Sequence, residues 1–228
     1  MGKRSVSVVI PVYNGETYLP SALESVLGQT WAPDEVIVVD DGSTDGTRQV
    51  VERTDGPVKL IPKPHTGVGD TLNRGIAEVT AEYLAFLDAD DLWVPGKLQV
   101  QWEALQNSGT DMVFGHIRQF ISPELDKHEI TGLECPPEPV PGYSRDTLLV
   151  KRETFLQVGW FATQYTTGEF IEWYARAKDM GLHSLMLADV LAHRRIHRTN
   201  MTRLAGMNRN DYTRIIRARL MRRRENSP

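Results

Sequence analysis

Short apolar, β-branched runs alternate through the first half of the chain with stretches whose apolar positions recur every three or four residues. SVSVVI (5–10) reads as a strand, followed by a helix over about 16–29 with Leu19, Leu23, Val26 and Leu27 on one face. A second strand over 35–39 ends in the turn-rich DDGSTDGT, where Ser43 or Thr44 is placed to cap a helix running to about Arg53. A third strand (58–61), a helix (68–79, with Leu72, Ile76 and Val79 inward) and an almost wholly apolar fourth strand (83–87) follow. Strands apolar on both faces and separated by helices predict an α/β fold with a mostly parallel, Rossmann-like sheet flanked by helices. In such sheets ligands sit outside the carboxyl ends of the strands. Asn14, Asp40 and Asp88 each come just after a strand.

The second half is less regular. A helix over 95–108 leads to a strand over 111–120, then to a proline- and acid-rich stretch (122–142) too long for a simple connector. A strand (147–150), a short helix (153–158), a longer helix (168–180), two strand-like runs (183–187 and 190–196) and an arginine-rich helical pattern after Thr199 complete the reading. No repeat or linker calls for a second domain, so 1–228 reads as one domain. It divides into a regular first half (1–108), a less regular second half (109–200) and a basic C-terminal helix (201–228).

With 40% hydrophobic and 25% charged residues the chain has an ordinary globular composition. No apolar run approaches the ~18–20 residues needed to span a bilayer, and MGKRSVSVVIPVYNG has no signal-cleavage pattern. The lone Cys135 excludes an internal disulfide framework and fits a reducing cytoplasm. The net charge of −4 is uneven. From His193 onward eleven arginines face only Asp211 and Glu225, a net of +9, leaving −13 on the rest. Ile215, Ile216, Leu220 and Met221 lie among those arginines, an amphipathic basic helix suited to a membrane surface, a second subunit or the protein's own body.

FLDADDLW (86–93) carries the sharpest chemical signal. An apolar strand delivers Asp88, Asp90 and Asp91 into one turn, where each carboxylate raises its neighbours' pKa. A divalent cation resolves that conflict, and hard oxygen ligands suit Mn²⁺ or Mg²⁺. An acidic turn capping the next helix is the structural alternative. IPVYNGE (10–16) and VVDDGSTD (38–45) are two further strand-to-turn junctions, able together to receive a planar base.

IPVYN, VVDDGSTD, TGVGDTLNRGI and FLDADD, in this order, resemble the family-2 glycosyltransferases of the GT-A fold. The later segments DTLLVKRETFLQVGWF, GEFIEWYARA and HRRIHRTN resemble them more loosely. The resemblance implies a hexosyltransferase-type enzyme using a nucleotide-diphosphate sugar, a UDP-sugar in the first instance, with inversion at the anomeric carbon. The implied partners are that donor, bound by the first half (1–108), and an unidentified acceptor, bound by the second (109–200), not nucleic acid. Pro11, Val12, Tyr13, Asn14 and Glu16 would border the nucleoside, with Asp40 reading the base and Asp41 and Ala89 nearby. Asp88 and Asp90 would form the DXD motif, with Asp90 the direct metal ligand and Asp88 toward the ribose and metal-bound water. His197 resembles the late histidine that GT-A enzymes add as a metal ligand. Arg194, Arg195 and Arg198 carry guanidinium forks that match phosphate oxygens, and Arg195 is the named candidate.

Two departures stand out. The family's arginine position before the fourth strand is Leu72 here, which leaves Arg74 as the candidate phosphate contact. The aspartate that often serves as base falls at Phe170, leaving Glu169 and Glu172 as the candidate bases. Trp160 and Trp173 lie nearest the expected acceptor side. A sugar-nucleotide-binding module without turnover is the alternative to an enzyme. An aspartyl phosphatase is disfavoured because the Thr or Val its signature needs is absent. A dinucleotide-binding dehydrogenase is disfavoured because PKPHT separates strand 58–61 from GVGDTL.

Overall fold

The computed structural model describes residues 4–126, 128, 135–198, 200 and 209–225. The helical reading over 201–208 and part of the 122–142 loop lie outside them. The first half runs β1 (Val6–Val12), α1 (Leu19–Leu27), β2 (Glu35–Asp40), α2 (Thr47–Glu52), β3 (Val58–Pro62), α3 (Val68–Ile76) and β4 (Tyr83–Phe86). Then come β5 (Leu92–Trp93), α4 (Lys97–Ser108), β6 (Met112–Ile121), β7 (Val140–Pro141), a 3-10 turn (Arg145–Thr147) and β8 (Leu149–Lys151). The helices α5 (Arg152–Val158) and α6 (Glu169–Asp179), the strand β9 (Ser184–Ile196) and the helix α7 (Arg209–Glu225) complete it.

The strands form one sheet in the order β3-β2-β1-β4-β8-β6-β9-β5, with β7 on β6. β1 to β4 are mutually parallel, as their mostly apolar runs predict. β8 runs antiparallel to both β4 and β6, and β5 antiparallel to β9. Side chains alternate across the sheet. Val6, Val8, Ile10 and Val12 pack with α1, α2 and α4 on one face. Val9, Ile37 and Val39 pack with α3, α5 and α6 on the other. Burying each such side chain contributes about 1.5–3 kcal/mol. Gly75 lets α3 lie close on β1, since a Cβ there would sit 2.5 Å from Val9 Cγ1.

Three local readings change. Neither Ser43 nor Thr44 caps α2, which starts at Thr47; Asp45 Oδ1 instead accepts from the Thr47 N–H at 3.0 Å. The runs 183–187 and 190–196 are one strand, broken in pattern by register shifts opposite Phe114 to Ile117. β5 and β7, two residues each, carry no periodicity to read. No helix among the described residues is long and apolar enough to cross a membrane.

Candidate active site

The parallel strands β1, β2, β3 and β4 end at one edge, and their following loops build the first half of the site. The β1 and β2 loops are laced together. Asn14, in the left-handed region at φ +51, donates its N–H to Ser43 Oγ at 2.8 Å and accepts from the Thr44 N–H at 2.9 Å. Glu16 accepts from the Gly46 N–H at 2.6 Å. These two residues therefore shape the loops. Pro11 and Val12 are buried and offer the edge only backbone, whereas Tyr13 is 51% exposed with its ring 4.3 Å from that of His65. Asp40 is fully buried, accepting from the Ser43 N–H at 2.9 Å and from Arg48 Nε at 2.6 Å.

Asp41 has a different task. Its carboxylate accepts from the Thr66 and Gly67 N–H groups at 2.9 and 3.0 Å, pairs with Lys63 and lies 2.9 Å from His65 Nδ1. It therefore fastens the β3–α3 loop onto the edge. Burial opposes its charge, but Lys63 and the two amides outweigh it and hold the carboxyl below the usual range. A depressed carboxylate stabilises the fold above its unfolded value, near 3.9, and loses that contribution as pH falls through its folded value. Asp41→Asn is expected to cost about 3 kcal/mol at neutral pH and to flatten this acid limb, read by denaturant melts across pH.

The Asp88–Asp91 turn follows β4, and the antiparallel strands beside it supply its partners. β8 pairs Leu149 with Ala85, so the 3-10 turn ahead of β8 lies beside the end of β4. Asp146 Oδ1 there accepts from the Asp88 N–H at 2.9 Å. Arg145 reaches Asp88 Oδ1 with Nε at 2.8 Å and Nη2 at 2.6 Å, while its Nη1 donates to Glu169 Oε1. Glu169, 2% exposed, is the first residue of α6, where the helix N-terminus favours an anion. One arginine thus joins the acidic turn to a candidate base.

Carboxylate oxygens of Asp88, Asp90 and Asp91 all lie within 4.8 Å of one another. Burial, only partly offset by Arg145, pushes Asp88 up to about 7, with Asp146 and Asp90 adding to the rise. Burial and the neighbouring carboxylates raise Asp91 well above its usual range too. Such crowding among hard oxygen donors fits a divalent cation.

β5 pairs Leu92 with His193, which sets the end of β9 alongside the same turn. Asp91 Oδ1 accepts from the Arg195 N–H at 2.8 Å, and His197 Nε2 lies 2.8 Å from Asp90 Oδ2. Asn200 donates to that same oxygen at 3.2 Å. Burial disfavours the Asp90 anion, yet His197 outweighs it and keeps the carboxyl low. Tyr18 backs the cluster, its ring 4.4 Å from that of His197. Burial and its hydrogen bond to Glu124 push its hydroxyl up to about 12, so it stays neutral. Ala89, between the acids, is half-buried.

Several expected residues stand elsewhere. Arg195 lies behind the turn, its guanidinium 3.0 Å from the Asp90 carbonyl and within 3.2 Å of Ser122 and Ser21, stacked against Tyr18 and Phe120. From there it braces the turn. Arg74, in the last turn of α3, pairs with Glu78 at 2.6 Å, and Lys59 shares that glutamate. Glu172 is buried between Arg176 at 2.9 Å and Arg222 at 3.1 Å, so it ties α6 to α7. Phe170 is packed in the aromatic core against Phe114, Trp173 and Tyr174. Trp173 is core as well, while Trp160 is half exposed. Arg145, Asp146 and Asn200 were not singled out from sequence. A polar SRD ahead of the apolar TLLV was the available signal, legible only once β8 is known to run against β4.

The chain resembles known proteins in both sequence and fold. It is 43% identical over 116 residues to an uncharacterized glycosyltransferase of Nostoc sp., covering 49% of this chain and 36% of that one. It is 31% identical over 130 residues to the Escherichia coli UDP-Glc:alpha-D-GlcNAc-diphosphoundecaprenol beta-1,3-glucosyltransferase WfgD, covering 52% of this chain and 51% of that one. The chain therefore spans about half or less of the length of these relatives. In fold it matches S. aureus TarS in complex with UDP-GlcNAc at a TM-score of 0.74 and 22% identity, covering 94% of this chain and 65% of that one. The GT-A arrangement expected of the sheet is thus present. The model for glycosyl transferase family 2 matches residues 7–165, and the chain belongs to that family.

Proposed function

We propose that the protein transfers a sugar from a UDP-sugar to an acceptor hydroxyl, with a divalent cation, Mn²⁺ or Mg²⁺, at the Asp88–Asp91 turn and with inversion. Asp90 and His197 would hold the cation, with Asp88 beside them. When bound, the cation supplies positive charge to the diphosphate leaving group. The nucleobase lies on the open face of Tyr13, and Arg48 yields its place on Asp40 to the base's imide N–H. Glu169 accepts the acceptor's proton as the hydroxyl attacks the anomeric carbon from the face opposite the diphosphate. Glu172, tied to Arg176 and Arg222 between α6 and α7, is assigned a structural role in this reading. The observation that carries the reading is the Arg145 bridge, which sets a buried carboxylate beside the acidic turn. It also favours turnover over a binding module, since Phe170 leaves the base position without leaving the site without a base.

The test is release of UDP from UDP-glucose and UDP-GlcNAc with Mn²⁺, Mg²⁺ or EDTA, with product stereochemistry read by NMR. Turnover unaffected by EDTA, or a product of retained configuration, contradicts the corresponding step.

The acceptor reading follows from α7. Ile216, Leu220 and Met221 are exposed on a helix whose sequence carries seven arginines and two acids, of which Arg219 and Arg222 dock it on Asp179 and Glu172. Apolar side chains set among guanidinium groups suit an anionic membrane surface, and hence an acceptor carried on a lipid. WfgD, by its name, acts on such an acceptor. Sedimentation with vesicles containing anionic lipid, and not with zwitterionic vesicles, is the expected result. Equal binding to both, or concentration-dependent dimerisation without vesicle binding, removes this part of the reading.

A further inference from the structure

Glu169 starts α6 from a turn that α6 does not itself secure. Gly168 precedes it in the left-handed region at φ +91, and α6 has no side-chain cap of its own. The turn's N–H groups find their acceptor far along the chain. Thr166 and Thr167 donate to Asp211 Oδ2, at 2.9 and 3.5 Å, and Asp211 is 3% exposed in the first turn of α7. One helical turn on, Ile215 is buried against Gly168, where a Cβ would lie 2.9 Å from Ile215 Cδ1. Arg214 adds a cation–π contact 5.5 Å from the Tyr165 ring. Residues 165–168 are therefore each met by a side chain of α7.

A helix that merely covered apolar surface would have no use for a buried acid, because burying a carboxylate costs several kcal/mol unless its oxygens are bonded. Here the acid is aimed at backbone amides, a charge-assisted pairing that fixes geometry. The opposite end of α7 docks by different contacts, Arg219 on Asp179 at 3.1 Å and Arg222 on Glu172 at 3.1 Å.

We propose that α7 is a strap that sets the position of Glu169, with Asp211 as the positioning residue. The inference rests on Glu169 being the base. A displacement of about 1 Å at a reacting group costs on the order of 100-fold in rate, so a turn held from outside its own helix is a sensitive control point.

The experiment compares Asp211→Ala, Asp211→Asn and Arg219→Ala in the full chain. Amide hydrogen exchange reads the turn without any turnover. In Asp211→Ala the amides of residues 166–169 are expected to exchange at least about tenfold faster, with the sheet and UDP binding unchanged. With Mn²⁺ and UDP-glucose or UDP-GlcNAc, kcat is expected to fall at least about tenfold at a donor KM within about twofold. Asp211→Asn, which keeps one acceptor oxygen, should recover most of that loss. Arg219→Ala, which weakens α7 docking away from the turn, should stay near the parent rate. Unchanged exchange at 166–169, or equal losses of kcat in Asp211→Ala and Arg219→Ala, would overturn the strap. A parent protein without turnover, or a fully active Glu169→Gln, would overturn the base reading instead and leave the exchange result to decide the strap alone.

Discussion

Glu169→Gln is expected to lower kcat for sugar transfer about 10²–10⁴-fold, the usual worth of a positioned proton acceptor, while donor affinity changes by less than about twofold. The substitution keeps the side chain's shape and one oxygen facing Arg145, so α6 and the turn before it should hold. What it removes is the lone pair that takes the acceptor's proton. Glu172→Gln is the matched control. Its carboxylate binds Arg176 and Arg222, and Arg176 in turn donates to the carbonyls of Val158 and Trp160. The expected consequence of Glu172→Gln is therefore lower stability with a rate change within about tenfold. Rates for the two variants that reversed this order would transfer the base assignment to Glu172. Steady-state kinetics with melting curves on both proteins decides the matter.

Asp90→Ala is expected to lower turnover by about 10³-fold or more, since a cation at the leaving group stabilises developing charge by several kcal/mol. It is also expected to abolish any strengthening of UDP binding by Mn²⁺. The argument is geometric. Asp90 is where the acidic turn, His197 and Asn200 converge on a single oxygen. Asp91, by contrast, gives an oxygen to the Arg195 amide, and Asp88 is shared with Arg145. Asp91→Asn should therefore act mainly through the seating of β9. A cation-dependent Asp90→Ala protein with near-parent turnover would move the cation site away from this turn.

What could be read along the chain and what could not divides on distance in sequence. β1 to β4 and the helices between them were legible because each carries its own periodicity, and parallel packing then places all their ends at one edge. The acidic triad was legible for the same reason: three residues of one turn after one strand. Of its partners, His197 was reached only through the family resemblance, and Arg145, Asp146 and Asn200 were not reached at all. Arg145 and Asp146 meet Asp88 because β8 runs antiparallel to β4, and His197 and Arg195 meet Asp90 and Asp91 because β5 pairs with β9. Pairing direction is not written in a three-residue strand such as β8 or a two-residue strand such as β5. The choice between Glu169 and Glu172 was open for a related reason. Three residues apart on one helix, they differ only in what faces them, Arg145 from the turn before β8 for one, Arg222 from α7 for the other. Arg74 and Arg195 show a related limit of reading residue type alone. An arginine's type suggests phosphate, yet a glutamate one helical turn away claimed the first, and a carbonyl and two aromatic rings claimed the second.

The most direct test of the central claim is the melting temperature of the protein against UDP, with and without Mn²⁺, in the parent chain and in Asp90→Ala. At 100 times its Kd the nucleotide should stabilise the parent by about 2.7 kcal/mol, a shift of several degrees that depends on Mn²⁺ and vanishes in the variant. A shift of equal size without Mn²⁺, or one that survives in Asp90→Ala, would contradict a cation-held UDP at the Asp88–Asp91 turn.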